Sequence, residues 1–305
     1  MNATESSPPR LVGIGAVFVD DIVLPDGQTH MAQLGGGVTH ALMGAAIWGE
    51  RPGVVALAGR GLPAEAAAIL ERHFDTRGLI TVEHPQARAW QVFEADGTRR
   101  ELYRSDPIMP FIVGARPEHL PPPYFDADAF YLLQGFEGIA AWRPTLPGFV
   151  LWEPLQQIMI AGSRRSLSQT LRQTTINLIS PNLIEARAVY GKMSPEALVN
   201  ALLTDGARAA ALRMGPDGSL VAAHNNGMYY IPAAPAARIA DQTGAGNTYC
   251  GGLLAGIVGG KSLQEAAAMG AVAASFCVER VGPILPDMID PVERDRRLQA
   301  VLSTI

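Results

Sequence analysis

Strand-length apolar runs alternate with helix-length segments through most of this chain, and that alternation restricts its possible folds more than any other feature. The runs lie at 10–23, 53–58, 129–133, 148–152, 175–179 and 209–214. Helix-length segments at 64–73, 166–172 and 196–204 separate them, and 39–48 is small, apolar and helical in character. Repeated strand–helix–strand units place strands side by side in parallel, with helices covering both faces. The expected class is α/β: a three-layer α/β/α sandwich around a mainly parallel central sheet. With 305 residues, 48% of them hydrophobic, the chain can bury one large core without a linker. Residues 10–305 therefore read as a single domain, behind a polar, proline-bearing stretch at 1–9 that is expected to be disordered.

One region breaks the pattern. Residues 88–94 and 99–104 alternate in the manner of strands around Ala95-Asp96-Gly97-Thr98, and an Asp-Gly pair between such runs signals a hairpin. Its polar face suggests a projection from the main sheet.

The formal charge of -5 and the scattered arginines argue against a nucleic-acid or anionic-membrane surface, since either needs a concentrated positive face. A small-molecule partner is the expectation. Cys250 and Cys277 both sit in apolar helical patterns, where a free thiol behaves as a small hydrophobe. No apolar run approaches the ~18 residues of a spanning helix, and the first residues are unlike a secretion signal. A cytoplasmic location is expected. His30, His73, His84, His119 and His224 show no paired metal spacing, so a zinc site is not.

The chemistry concentrates at Asp241-Gln242-Thr243-Gly244-Ala245-Gly246-Asn247, which opens an apolar helical run. Two glycines at a helix start leave backbone N–H groups without partners and without side chains in the way, a seat suited to phosphate. A tight turn with a helix cap is the plainer alternative. Asn182 and Glu185 stand three apart after Pro181, where they either form a capping box or share a functional face. Arg213, at the end of a strand-like run, either pairs with phosphate oxygens or reaches solvent. Gly215 and Gly218 flank Pro216-Asp217 in a turn between strands. Gly13-Ile14-Gly15 suggests a dinucleotide fingerprint, but Phe18 stands where its third glycine belongs.

Taken in order, these motifs resemble the ribokinase (PfkB) family of carbohydrate kinases over residues 10–290. The family's usual ending is Asp-Thr-Thr-Gly-Ala-Gly-Asp, with the last aspartate as catalytic base; here that place holds Asn247. The segment 11–24 resembles the opening strand with its sugar-facing acid at Asp20, and Gly35-Gly36-Gly37 the first glycine motif. Ser180-Pro181-Asn182-Leu183-Ile184-Glu185 resembles the motif that orders magnesium and phosphate. The stretch 210–218 resembles the strand and turn over the nucleotide phosphates, and 266–282 the helix beside the adenine. A narrower likeness, through 34–39, 75–79, Trp152-Glu153-Pro154 and the Gly-Ala-Gly-Asn ending, is to the sugar-kinase-like branch of the fungal killer-virus-maintenance protein.

The resemblance implies a ribokinase-like fold with a small β lid from about 15–35 and 88–105. It also implies ATP with Mg²⁺ as cofactors and a sugar-like acceptor. A monovalent cation and a homodimer through the lid are compatible with it. Gly244, Ala245 and Gly246 would hold the transferring phosphoryl group, with Thr243, Gly215 and Gly218 near the nucleotide and Ala271 beside the adenine. Glu185 would hold magnesium through water, with Glu153 behind it. Asp20 would bind acceptor hydroxyls, Gly35 and Gly36 would let the substrate approach the backbone, and His40 stands where a sugar-binding asparagine is usual. Asp20-Asp21 as a solvated strand end is the bland alternative. Asn247 leaves three readings open: an inactivating replacement in a nucleotide- or sugar-binding pseudokinase, a native residue for an acceptor needing little base, or a site where Asp20, Asp21 or Asp241 takes the proton. General-base help is worth about 10²–10⁴-fold, so slow turnover is expected without a substitute.

Overall fold

The structure, a computed structural model, describes residues 7–95, 99–104, 110–111, 114–224 and 226–305. The turn expected at residues 95–98 lies largely outside the described residues, as does most of the start expected to be disordered.

Nine strands form the main sheet: β1 (Leu11–Ile14), β4 (Gly53–Arg60), β5 (Asp75–Pro85), β8 (Ala129–Gln134), β9 (Phe149–Pro154), β10 (Leu178–Ile179), β11 (Ala209–Arg213), β12 (Ser219–Ala223) and β13 (Met228–Ile231). Their order is β13-β12-β11-β10-β9-β8-β1-β4-β5. From β11 to β5 every pairing is parallel, while β12 and β13 add an antiparallel edge. Both faces are buried, and side chains alternate between two cores as the two-residue period of a strand requires. In β8, Ala129 and Tyr131 join one core while Phe130 and Leu132 join the other. Helices α1 (Gly37–Ala46), α2 (Ala64–His73), α7 (Ala245–Val258), α8 (Leu263–Cys277) and α9 (Pro291–Leu302) cover the first face. Helices α3 (Phe136–Trp142), α4 (Arg164–Thr174), α5 (Leu183–Tyr190) and α6 (Pro195–Thr204) cover the second. The expected three-layer sandwich is present.

Two strand expectations change. The apolar run at 10–23 is two strands, because after Ile14 the chain leaves the main sheet and Phe18–Val23 becomes β2 of a second sheet. The run at 175–179 contracts to Leu178–Ile179, since Thr175 takes a left-handed φ of 50° as it closes α4. The second sheet has four strands in the order β3-β2-β6-β7, with β3 (Thr29–Gly35), β6 (Arg88–Phe93) and β7 (Arg99–Tyr103). β2–β3 and β6–β7 are antiparallel, and β2–β6 is parallel.

Glycines set the distance between the helices that matter for the site. Added at Gly251 of α7, a Cβ would collide with the carbonyl of Ala41 in α1, and one at Gly44 of α1 would collide with that of Thr248. Gly252 and Gly256 give the same clearance to α8, at Ala273 and Ala266. The two helices opened by glycine motifs, α1 and α7, therefore pack backbone to backbone. Their N-termini are held side by side.

Candidate functional site

A cleft of about 790 Å³ lies where the smaller sheet faces the carboxyl ends of the parallel strands. Strand order reverses beside β1, with β4 on one side and β8 on the other, and such a switch point is where open α/β sheets bind ligands. Every site residue expected from the sequence lines this cleft except Gly35.

At its floor is the N-terminus of α7. Gly244 takes φ 74°, the left-handed conformation open to glycine, and any Cβ there would run into the ring of His40. The amide of Thr248 closes on the carbonyl of Gly244 at 2.8 Å, and that of Ala245 turns back on Gln242 at 3.3 Å. Among the described residues, the amides of Gly246 and Asn247 take no hydrogen-bond partner. A helix N-terminus with free amides carries partial positive charge and suits an anion. The Cys277 thiol, whose burial pushes its pKa up to about 12, lies 3.4 Å from the Thr243 carbonyl and is a core group, as its pattern suggests.

Beside this seat runs a continuous chain of polar contacts. The side-chain amide of Asn247 donates to the hydroxyl of Tyr131 at 3.2 Å, and that hydroxyl donates to Glu153 Oε2 at 2.7 Å. Glu153 Oε1 lies 2.8 Å from Arg213 Nη1. Arg213 Nη2 donates to the Ser180 carbonyl at 2.8 Å and lies 3.9 Å from Glu185 Oε2. Arg213 is buried rather than reaching out to bulk solvent, and it lines the cleft while pairing with Glu153 and Glu185. Gly246 owes its identity to it, since a Cβ there would strike Nη1. Asn182 and Glu185 form the capping box at the start of α5, each backbone N–H donating to the other's side chain at 2.8 Å. They also line the cleft, so the structural and site positions coincide. Burial pushes the Glu185 carboxyl above its usual range, with Arg213 opposing.

The other end is made by the smaller sheet. Asp20 and Asp21 are both buried, contrary to a solvated strand end. Asp21 is paired with Arg88 at 2.8 Å and with Arg104, and accepts the amide of Ala32 at 2.8 Å. Those partners hold its carboxyl below the usual range, which removes it as a proton acceptor. Asp20 faces the cleft and, among the described residues, accepts only from Gln91, at 3.1 Å. Burial raises its pKa to about 7. Gly35 serves Asp20, because a Cβ there would overlap that carboxylate; the expected role of admitting substrate is not its own. Gly36, at φ 93°, likewise answers to the chain, its missing Cβ clearing the carbonyl of Ala16. His40 is buried with Nδ1 unpartnered among the described residues, and burial lowers its pKa to about 4, so the ring is neutral near pH 7.

Do these groups fit a nucleotide? Gln91 Oε1, His40 Nδ1, Arg213 Nε and Thr243 Oγ1 are buried, line the one cleft and lack partners among the described residues. Buried polar atoms are ordinarily satisfied, and a polyhydroxylated, phosphorylated ligand would satisfy them. Gly215 and Gly218 bracket the turn from β11 to β12 at the rim, and Ala271, Ala274 and Val278 form an apolar wall suited to a base. The residues fit ATP. A magnesium ion bound directly between Glu153 and Glu185 fits poorly, because the Arg213 guanidinium stands between them. Among the described residues, no three acidic, histidine or cysteine side chains converge on a metal position.

Sequence reasoning missed Tyr131 and Gln91. An aromatic in a doubly buried strand carries no signal of its own. Gln91 carried one: it shares its phase along β6 with buried Ala89, and a polar residue there is out of place unless it serves a site.

A profile of the pfkB family carbohydrate kinases matches residues 158–289, which include α5, β11, the anion seat and α8. Over those residues the chain is similar to that family, and the solved structures it superposes on include ribokinases. It is similar to a cytidine kinase of Thermococcus kodakarensis, 24% identical over 278 residues that cover 85% of this chain and 92% of the relative. A putative ribokinase II from E. coli superposes with a TM-score of 0.78 at 16% identity, covering 96% of this chain and 99% of that one. Arabidopsis thaliana ribokinase complexed with ribose and ATP superposes with a TM-score of 0.72 at 20% identity, over 96% and 99%.

Proposed function

We propose that this chain is an ATP-dependent phosphotransferase whose acceptor is a hydroxyl of a sugar or sugar-like small molecule, nucleosides included. The observation that carries this reading is the pair of amides at Gly246 and Asn247, without hydrogen-bond partners among the described residues, opening onto the same cleft as a buried carboxylate, Asp20. Phosphoryl transfer asks little of a protein beyond positioning and stabilising charge. The seat would hold the transferring group, and the wall at Ala271 the base. The acceptor oxygen forms a bond to phosphorus as the bond to the ADP oxygen breaks, and the hydroxyl proton must leave.

Asn247 has no basicity to accept that proton. Its amide would position the acceptor. Asp20, with a pKa near the working pH, has the basicity a general base needs, which supports it as the group that orients the hydroxyl and takes the proton. The cytidine kinase likeness brings a ribose-bearing acceptor within the range to be tried.

Calorimetric titration with ATP and ADP, followed by an ADP-release assay across sugars and nucleosides, tests this. Binding with turnover on at least one acceptor is expected. Nucleotide binding without turnover across the panel would instead identify a nucleotide-responsive binding protein, and no binding at millimolar nucleotide would end both readings.

A further inference from the structure

The geometry points to Arg213 as a built-in counter-ion that takes the place of a divalent cation between Glu153 and Glu185, so that the cleft seats nucleotide phosphates without a protein-held metal. This rests on the cleft being a nucleotide site.

Glu153 is committed through both oxygens and Glu185 through one. Glu153 spends one oxygen on the Arg213 guanidinium at 2.8 Å and the other on the Tyr131 hydroxyl at 2.7 Å. Glu185 Oε2 accepts the Asn182 amide at 2.8 Å and faces Arg213 Nη2 at 3.9 Å. Mg²⁺ demands near-octahedral oxygens at about 2.0–2.1 Å. The planar guanidinium occupies the space between these acids where such a shell would form. An arginine cannot lose its charge in a protein, so the neutralisation it supplies is permanent and independent of metal supply.

Arg213 also reaches the anion seat itself. Its Nη1 fills the space that a side chain at Gly246 would need, and the amide of Gly246 is one of the two left free. Nε is buried with no partner among the described residues, in a side chain that is 10% exposed. A guanidinium with a spare N–H beside unpaired amides is a phosphate-binding arrangement. The amide at Asn247 belongs to the same design. Tyr131 gives its proton to Glu153 and so must receive one from position 247, which an amide provides and an ionised carboxylate does not. A carboxylate there would also add a third negative charge to a cluster with one cation.

The test compares ADP binding by calorimetry in EDTA and in excess Mg²⁺, using the full chain. The dissociation constants are expected to agree within about threefold, and Arg213→Lys, which keeps the charge, should preserve that agreement. Arg213→Thr should bind ADP at least tenfold more weakly in EDTA, with Mg²⁺ restoring it. A wild-type protein that binds ADP more than tenfold more weakly in EDTA overturns the inference. Water-proton relaxation with Mn²⁺ alone decides independently of nucleotide. Wild type should show no site below millimolar, whereas a site that Glu153→Gln or Glu185→Gln abolishes would refute the counter-ion role. Failure of ADP to bind in both media would end the nucleotide reading and leave the Mn²⁺ result to decide this one.

Discussion

The two ends of the cleft are built on opposite principles. At the proposed phosphate end, Asn247, Tyr131, Glu153 and Arg213 form a chain of contacts in place before any ligand arrives, while Arg213 Nε and Thr243 Oγ1 stay open among the described residues. At the proposed acceptor end, among the described residues, Asp20 is buried with no cation in hydrogen-bond contact, and His40 and Gln91 keep polar atoms unpaired. The first arrangement fixes geometry in advance and stakes stability on it; the second stores binding capacity at a cost to stability. Substitutions at the two ends should therefore separate into losses of fold and losses of recognition.

The largest effect is expected from Arg213→Met. Removing one partner of a buried ion pair leaves carboxylates uncompensated, at a cost of roughly 3–5 kcal/mol, measurable by urea unfolding; a loss under ~1 kcal/mol would show that the charge chain is not what holds this end. Gly244→Ala comes next. Its φ of 74° and the His40 ring both oppose a side chain, and with the seat displaced, kcat should drop about 10²–10³-fold, as when one oxyanion donor is lost. Unchanged kcat would detach the seat from the reaction.

Asp20→Asn should reverse the pattern, lowering kcat by about 10²-fold, the lower end of what a general base is worth, while helping the fold. The sign follows from its pKa, raised from 3.8 to about 7 by burial. The folded state favours the protonated form, so the stability this residue contributes is fully present below its unfolded value and is lost as pH rises through about 7. The variant should be the more stable protein above pH 7, and a thermal-melting series across pH 4–8 reads the difference. His40 carries the opposite slope: its pKa is lowered to about 4 by burial, so stability is lost as pH falls from its unfolded value toward 4, and His40→Gln should flatten that limb. The smallest change is expected from Asn247→Asp, a cost of about 1–3 kcal/mol for leaving the Tyr131 hydroxyl without its donor, with no gain in turnover if Asp20 already serves as base. A large gain in kcat would assign the proton to position 247.

Much of this was legible in the sequence, for reasons that also mark where it stopped. The parallel sheet announced itself through buried strands separated by helix-length segments, because burying both faces leaves continuous apolar runs. The opening of α7 stood out as a candidate anion seat only beside the other motifs, because a glycine pair at a helix start serves equally as a tight turn and cap. The roles of Gly35 and Gly246 were not, since each makes room for a side chain, Asp20 or Arg213, that only the fold brings near. Arg213 itself illustrates the limit most plainly. A strand-end arginine reads the same whether it meets phosphate, water or acids on β9 and α5, and its partners lie 60 and 28 positions away.

The direct seating of α1 on α7 carries a mechanical consequence. With Gly44 and Gly251 leaving no side-chain cushion between them, the two helices are expected to move as one block, carrying the loops at their tips together. Opening to admit a ligand is therefore expected of the four-stranded sheet rather than of this crossing. Re-tooling this scaffold for another acceptor is work for β2 and β6, because even a methyl group introduced at that helix crossing would throw both halves of the cleft out of alignment together.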